Sequence, residues 1–198
     1  GAPLVIGSWV FGEIDDSLGT EEHSGFKGHL RALFSGRITT GIVKIVGIGL
    51  LALYTAWVIT PVSLPMAERI LTIVLGATTI AFMANMVVIL AGVAFGLFRW
   101  AGMNNMDTLA IVLAALGPVM AVWSRDVTEQ GILGDAGANA MGACGGFLLV
   151  AALPLPGLVV ACALTVLVNV LGERVSFTRV IASVPILKML DELGRRDI

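Results

Sequence analysis

Charge is scarce in this chain. Only 13% of its 198 residues are Asp, Glu, Lys or Arg, while 57% are hydrophobic. A soluble domain of this size usually carries about 25% charged residues. The apolar surplus has to face lipid, so an integral membrane protein is expected. Positive charge is not in excess either, and a net charge of −2 argues against nucleic acid as a partner. Cysteine is limited to Cys144 and Cys162, both inside apolar runs. With no Cys/His cluster there is no zinc or iron–sulfur signature, and both thiols read as small core residues. The opening "GAPLVIGSWVFGEIDD" lacks the basic n-region of a signal peptide. Sustained period-two alternation is missing throughout, which excludes a membrane β-barrel. Internal repeats and low-complexity segments are absent too. Glycine, by contrast, is plentiful: 24 residues, as expected where helices approach closely in a bilayer.

The hydrophobic runs predict an all-α, polytopic bundle. Residues 3–12 are too few to span a bilayer, which needs roughly 20 residues. They read as the tail of a helix whose beginning is missing, so the chain is expected to be a fragment lacking N-terminal helices. Residues 39–60 are long enough to span, and "TPVSLP" then breaks the helix twice with proline. The run 69–100 is too long for one span. It divides into 69–87 and a shorter helix after a break near Asn85. Residues 108–123 follow. The pair 138–153 and 157–171 flanks the proline turn "LPLPG". The expectation is therefore about six spans after a truncated first helix, all in one membrane domain over 1–198.

Lys27, Arg31, Arg37 and Lys44 cluster after the first run, and five more cations crowd the C-terminal end. The positive-inside rule then places 13–37, 124–136 and 173–198 in the cytoplasm. The ending 173–198 spaces Phe177, Ile181, Ile186, Leu187, Leu190 and Leu193 at roughly helical intervals. It reads as a cytoplasmic amphipathic tail at the membrane surface, interrupted at Pro185. A soluble cap over the loops is the alternative.

Four polar constellations fall on the cytoplasmic side. In "GEIDDSLG", Asp15 and Asp16 are adjacent, and neighbouring carboxylates repel unless a cation or proton lies between them. Oxygen donors of this kind suit Mg2+, which takes one or two carboxylates plus substrate phosphates. A solvated loop is the plain alternative. In "GFKGHLRALFSGRITTG", Lys27, His29, Arg31 and Arg37 are cations or potential cations able to meet a phosphate. In "LGDAGANAMGA", Asp135 lies between Gly134 and Gly137, just before an apolar helix. Its glycines permit close backbone approach, and the helix N-terminus offers N–H groups to an anion. Asp135 reads equally well as an N-cap. In "FMANMVVILAG", Asn85 is the one amide of a long apolar run. Polar groups at membrane depth usually face the interior.

Taken in order, "IDD", "GFKGHL", "ANMVVILAG" and "LGDAGANAMGA" resemble the polyprenyl-phosphate N-acetylhexosamine-1-phosphate transferases. That family includes the translocase that makes lipid I for peptidoglycan and the dolichyl-phosphate enzyme of N-glycosylation. "GDAG" followed by small residues is the most specific of these motifs, and the acidic doublet is the second. The resemblance covers nearly the whole chain, although family members are longer. It implies attack of a polyprenyl phosphate on the sugar-bearing phosphorus of a UDP-sugar, with UMP leaving, in cell-wall or other glycan precursor synthesis. It implies Mg2+ or Mn2+ as cofactor, with Asp135 as metal ligand and Asp15 and Asp16 as the catalytic doublet. Asn85, Lys27, Gly134 and Gly137 become substrate-binding residues. The setting implied is a prokaryotic plasma membrane, with the site facing the cytoplasm and a homodimer left open. The chain departs from the family pattern at Val88, where a second Asn is expected, and in "VAFGLF", where a polar loop is expected. These departures keep a second reading alive: a catalytically degenerate member acting as a membrane scaffold or lipid-binding partner. A small transporter ranks last, because Arg69 and Arg99 sit at segment ends rather than at mid-membrane.

Overall fold

A computed structural model describes residues 1–18, 25–84, 134–175 and 177–192. Every regular element among them is an α-helix, as the sequence predicts. These are α1 (Ala2–Leu18), α2 (Gly25–Phe34), α3 (Thr40–Ile59), α4 (Met66–Met83), α5 (Gly134–Ala152), α6 (Leu155–Arg174), α7 (Phe177–Ser183) and α8 (Pro185–Glu192).

Three helices among the described residues are long and apolar enough to cross a membrane: α3, α4 and α6. This is an integral membrane protein. The 20 residues of α3 extend about 30 Å, the thickness of the hydrocarbon core. Their large side chains point outward: Leu50, Leu53, Tyr54, Trp57 and Val58 on α3, Ile70, Leu71 and Val74 on α4, Val159, Val160 and Leu164 on α6. The expected spans 39–60, 69–87 and 157–171 correspond to these helices. The stretch 88–123, in which two further spans are expected, lies outside the described residues, so the count of six rests on residues not described.

Small residues decide how the helices pack. α5 touches α1, α3, α4 and α6 and forms the centre of the bundle. Its buried positions include Ala136, Asn139, Gly142, Ala143, Gly145 and Gly146. A Cβ on Gly142 would run into the Met83 carbonyl, and one on Gly146 would sit 2.8 Å from Ile80 Cα. These glycines, four apart, form the flat stripe on which α4 lies. Rich in glycine and carrying Asp135 and Asn139, α5 is not among the three helices above. Leu4, Ile48, Ala52, Ile80, Ala84, Ala143, Val150 and Leu158 close the core around it.

The two kinds of glycine should answer oppositely to alanine. Ala is the better helix former by about 1 kcal/mol, and a methyl group at Gly49 meets nothing within 4 Å. Gly49→Ala is therefore expected to hold or raise the melting temperature in detergent. Gly142→Ala should lower it, at about 1–3 kcal/mol for a forced overpacking. Equal shifts in the two variants would contradict the close α4–α5 approach.

Contacts fix the directions of the helices. Gly12 of α1 meets Ala136 of α5, and Gly1 meets Phe147, so these two run antiparallel. Phe11 meets Gly47 and Leu51 meets Gly7, which makes α1 antiparallel to α3. Gly76 meets Val150 and Gly146 meets Ile80, which makes α4 antiparallel to α5. Asn169 of α6 donates to the Phe82 carbonyl at 3.3 Å, so α6 ends where α4 ends. One end of the bundle thus collects the C-termini of α1, α4 and α6 and the N-termini of α3 and α5. At the far end "TPVSLP" joins α3 to α4 and the proline turn joins α5 to α6. Tyr54 and Trp57, 6.4 Å apart and exposed, sit on the far half of α3, where interfacial aromatics commonly anchor a span. The tail breaks into α7 and α8 at Pro185, as expected, and Ile186 and Met189 of α8 are exposed.

Candidate functional site

Three chain segments converge at the charged end of the bundle. α1 brings Asp15 and Asp16 on its last turn. α3 brings Lys44 from its first turns, which start at Thr39, whose Oγ1 accepts the Ile42 N–H at 3.3 Å. α5 brings Asp135 on its first turn.

Lys44 Nζ lies 2.5 Å from Asp15 Oδ2 and 2.5 Å from Asp135 Oδ2. Two carboxylates 120 residues apart therefore point at a single position, and a cation stands in it. The side chains of Lys44 and Asp15 are only 13% and 15% exposed, while that of Asp135 is 52% exposed. The cluster is thus closed on its α1–α3 side and open at Asp135. Charge-assisted contacts of this kind are among the stronger hydrogen bonds in proteins.

Asp16 has a different job from its neighbour. Its Oδ2 accepts the Ala136 N–H at 3.1 Å, which caps the start of α5. Gly134 makes this approach possible in two ways. Its φ is +65°, a left-handed conformation that favours glycine, and a Cβ there would lie 2.9 Å from Asp16 Oδ2. Gly12 completes the contact, because a Cβ on it would lie 2.7 Å from Ala136 N. Asn retains an acceptor oxygen and Ala does not. Asp16→Ala should therefore cost about 1 kcal/mol of stability, with Asp16→Asn close to wild type. Thermal melting of both variants checks this, and equal losses would remove the capping role.

The structure corrects two expectations here. Asp135 neither precedes its helix nor caps it. α5 begins at Gly134 rather than near 138, because Asp16 supplies the cap from another helix. Nor are the first N–H groups of α5 all open to an anion, since Ala136 N–H is already bonded to Asp16. Gly137 lies in the first turn of α5 and is partly exposed. Lys27 and His29 lie in α2, which packs on α3, and Arg31 and Arg37 are exposed. Asn85 lies outside the described residues.

Sequence reasoning passed over Lys44 as a participant. Its signal was visible: it is the only charged residue in 39–60. Two buried polar groups were passed over as well. Ser8 is fully buried on α1 and Asn139 is 3% exposed on α5. Ser8 Oγ and Asn139 Nδ2 find no hydrogen-bond partner among the described residues. The α1–α5 register puts them at about one level, Asn139 about one turn deeper than Asp135 and Ser8 about two turns deeper than Asp15.

No group of three or more His, Cys, Asp or Glu able to hold a metal is present among the described residues. The donors available are Asp15 and Asp135. Two converging carboxylates fit Mg2+, which keeps its other positions for water and substrate phosphate oxygens. No family model, curated protein or solved structure matches the chain.

Proposed function

We propose that this protein transfers a sugar-1-phosphate, of the N-acetylhexosamine type, from a UDP-sugar to a polyprenyl phosphate. The observation that carries the reading is the convergence of Asp15 and Asp135 on one cation position at a membrane-helix end. The sequence order of the acidic doublet and "GDAG" supports it. Both substrates are anionic, and one of them is anchored in lipid. A site for them has to sit at headgroup depth and needs positive charge that the carboxylates alone do not provide. Asp15 and Asp135 would hold Mg2+, which would draw the diphosphate in and offset the charge that develops as UMP departs. An oxygen of the lipid phosphate bonds to the sugar-bearing phosphorus, and the bond from that phosphorus to UMP breaks. Asp16 keeps α5, and with it Asp135, in place on α1. Lys27 on α2 and Asn85 are assigned to the phosphate and nucleotide sides. The charged end faces the cytoplasm of a prokaryotic cell, where UDP-sugars are made.

A second reading has its own observation. Lys44 and Asp16 already satisfy the two carboxylates and the start of α5 without any ligand. A non-catalytic scaffold of the same architecture would look like this. One assay separates the two. The purified protein is given polyprenyl phosphate, Mg2+ and a panel of UDP-sugars, and UMP is measured. Release with at least one donor establishes the transferase. No release with any donor leaves the scaffold.

A further inference from the structure

We infer that Lys44 is a resident stand-in for the divalent cation, and that cation binding ejects its ammonium from between Asp15 and Asp135. The inference rests on the metal-binding reading above and concerns how that site is loaded. A single point 2.5 Å from both Oδ2 atoms is taken by Nζ. A divalent ion held by the same two carboxylates would need the space that Nζ fills between them, so the two cations would exclude one another.

Charge gives the exchange a consequence. With Lys44 in place, Asp15, Asp16, Asp135 and Lys44 sum to −2. That field repels a phosphate group. With a divalent ion added the sum is 0, and an ammonium on a flexible four-carbon stem is released beside it. The site becomes attractive to an anion only after the metal has entered. Loading is therefore ordered, metal first and phosphate second.

The scaffold survives the exchange. α1 stays on α5 through the Gly12–Ala136 approach and the Asp16 bond to Ala136 N–H, neither of which involves Lys44. The entry side is also given. Asp135 is the exposed partner and Asp15 the enclosed one, so an arriving ion meets Asp135 first.

The test uses the full chain in detergent. Mn2+ binding is followed by the loss of its free electron paramagnetic resonance signal. In parallel, a succinimidyl ester labels amines and mass spectrometry reads each site. The chain has three lysines, Lys27, Lys44 and Lys188, and Lys188, on the C-terminal tail outside the site, serves as the reference within the same molecule. Saturating Mn2+ should raise labelling of Lys44 relative to Lys188 by about tenfold, the effect of freeing an amine from charge-assisted bonds. Asp135→Asn should raise it several-fold without metal, with the melting curve confirming that the variant is folded. Stoichiometric Mn2+ binding with unchanged Lys44 labelling overturns the displacement and leaves the metal site standing. Absence of Mn2+ binding overturns both.

Discussion

Asp135→Asn is expected to reduce UMP release by about a thousandfold or more. Metal-assisted charge stabilisation in phosphoryl transfer is worth several kcal/mol, and each 1.4 kcal/mol is a factor of ten in rate. The substitution keeps the shape of the side chain and removes the charge that a divalent ion needs. Its effect on folding should be small, because Asp135 is half exposed and exposed ion pairs contribute about 0–1 kcal/mol. Activity and stability therefore separate at this position. At Asp16 they should not separate in the same way, since its Oδ2 accepts the Ala136 N–H and Asn can take over that bond. Rates measured with both variants across a Mg2+ titration check the contrast. A drop below tenfold for Asp135→Asn, with Asp16→Asn the more damaging change, would assign the metal to the wrong carboxylate.

That contrast was only half legible in the sequence. The span 39–60 and the break at "TPVSLP" are written in long apolar runs and prolines, and the structure has α3 over Thr40–Ile59 followed by a turn. Parity and the positive-inside bias were enough to place the acidic doublet and "GDAG" at the same end of the bundle. What they could not do is divide the labour between Asp15 and Asp16. Adjacent residues on a helix point about 100° apart, so one reaches Lys44 and the other reaches α5, and that depends on where the partner helices stand. The start of α5 was hidden for a related reason. "LGDAG" has the composition of a loop, and only the cap supplied from α1, together with the left-handed Gly134, lets the helix begin there. Lys44 was hidden by statistics. A lysine near the cytoplasmic end of a span is common without any partner, so its presence alone gave no reason to look for two carboxylates.

The second large effect is energetic, and it belongs to the pair Lys44 and Asp15. In the absence of divalent ions, Lys44→Met should destabilise the bundle by about 2–3 kcal/mol. Removing one partner of a fully buried pair costs about 3–5 kcal/mol, and the value here is lower because both side chains keep some exposure. Asp15→Asn should cost less, about 1 kcal/mol, since Lys44 retains Asp135. The double variant should then be more stable than the sum of the two losses predicts, with a coupling of about 1–2 kcal/mol, within the range for residues in direct contact. The same cycle run on Lys44 and Asp135 should give a smaller coupling, because solvent reaches Asp135 and screens it. Thermal or denaturant unfolding of the six proteins, in detergent with chelator, measures both couplings. Their order is the informative result. A larger coupling for Asp135 than for Asp15 would mean that the enclosed face of the cluster lies on α5 rather than between α1 and α3. Repeating the cycle with Mg2+ adds a sign. The cost of Lys44→Met should shrink, because a divalent ion then balances the carboxylates, while the cost of Asp15→Asn should grow, because the ion loses a ligand.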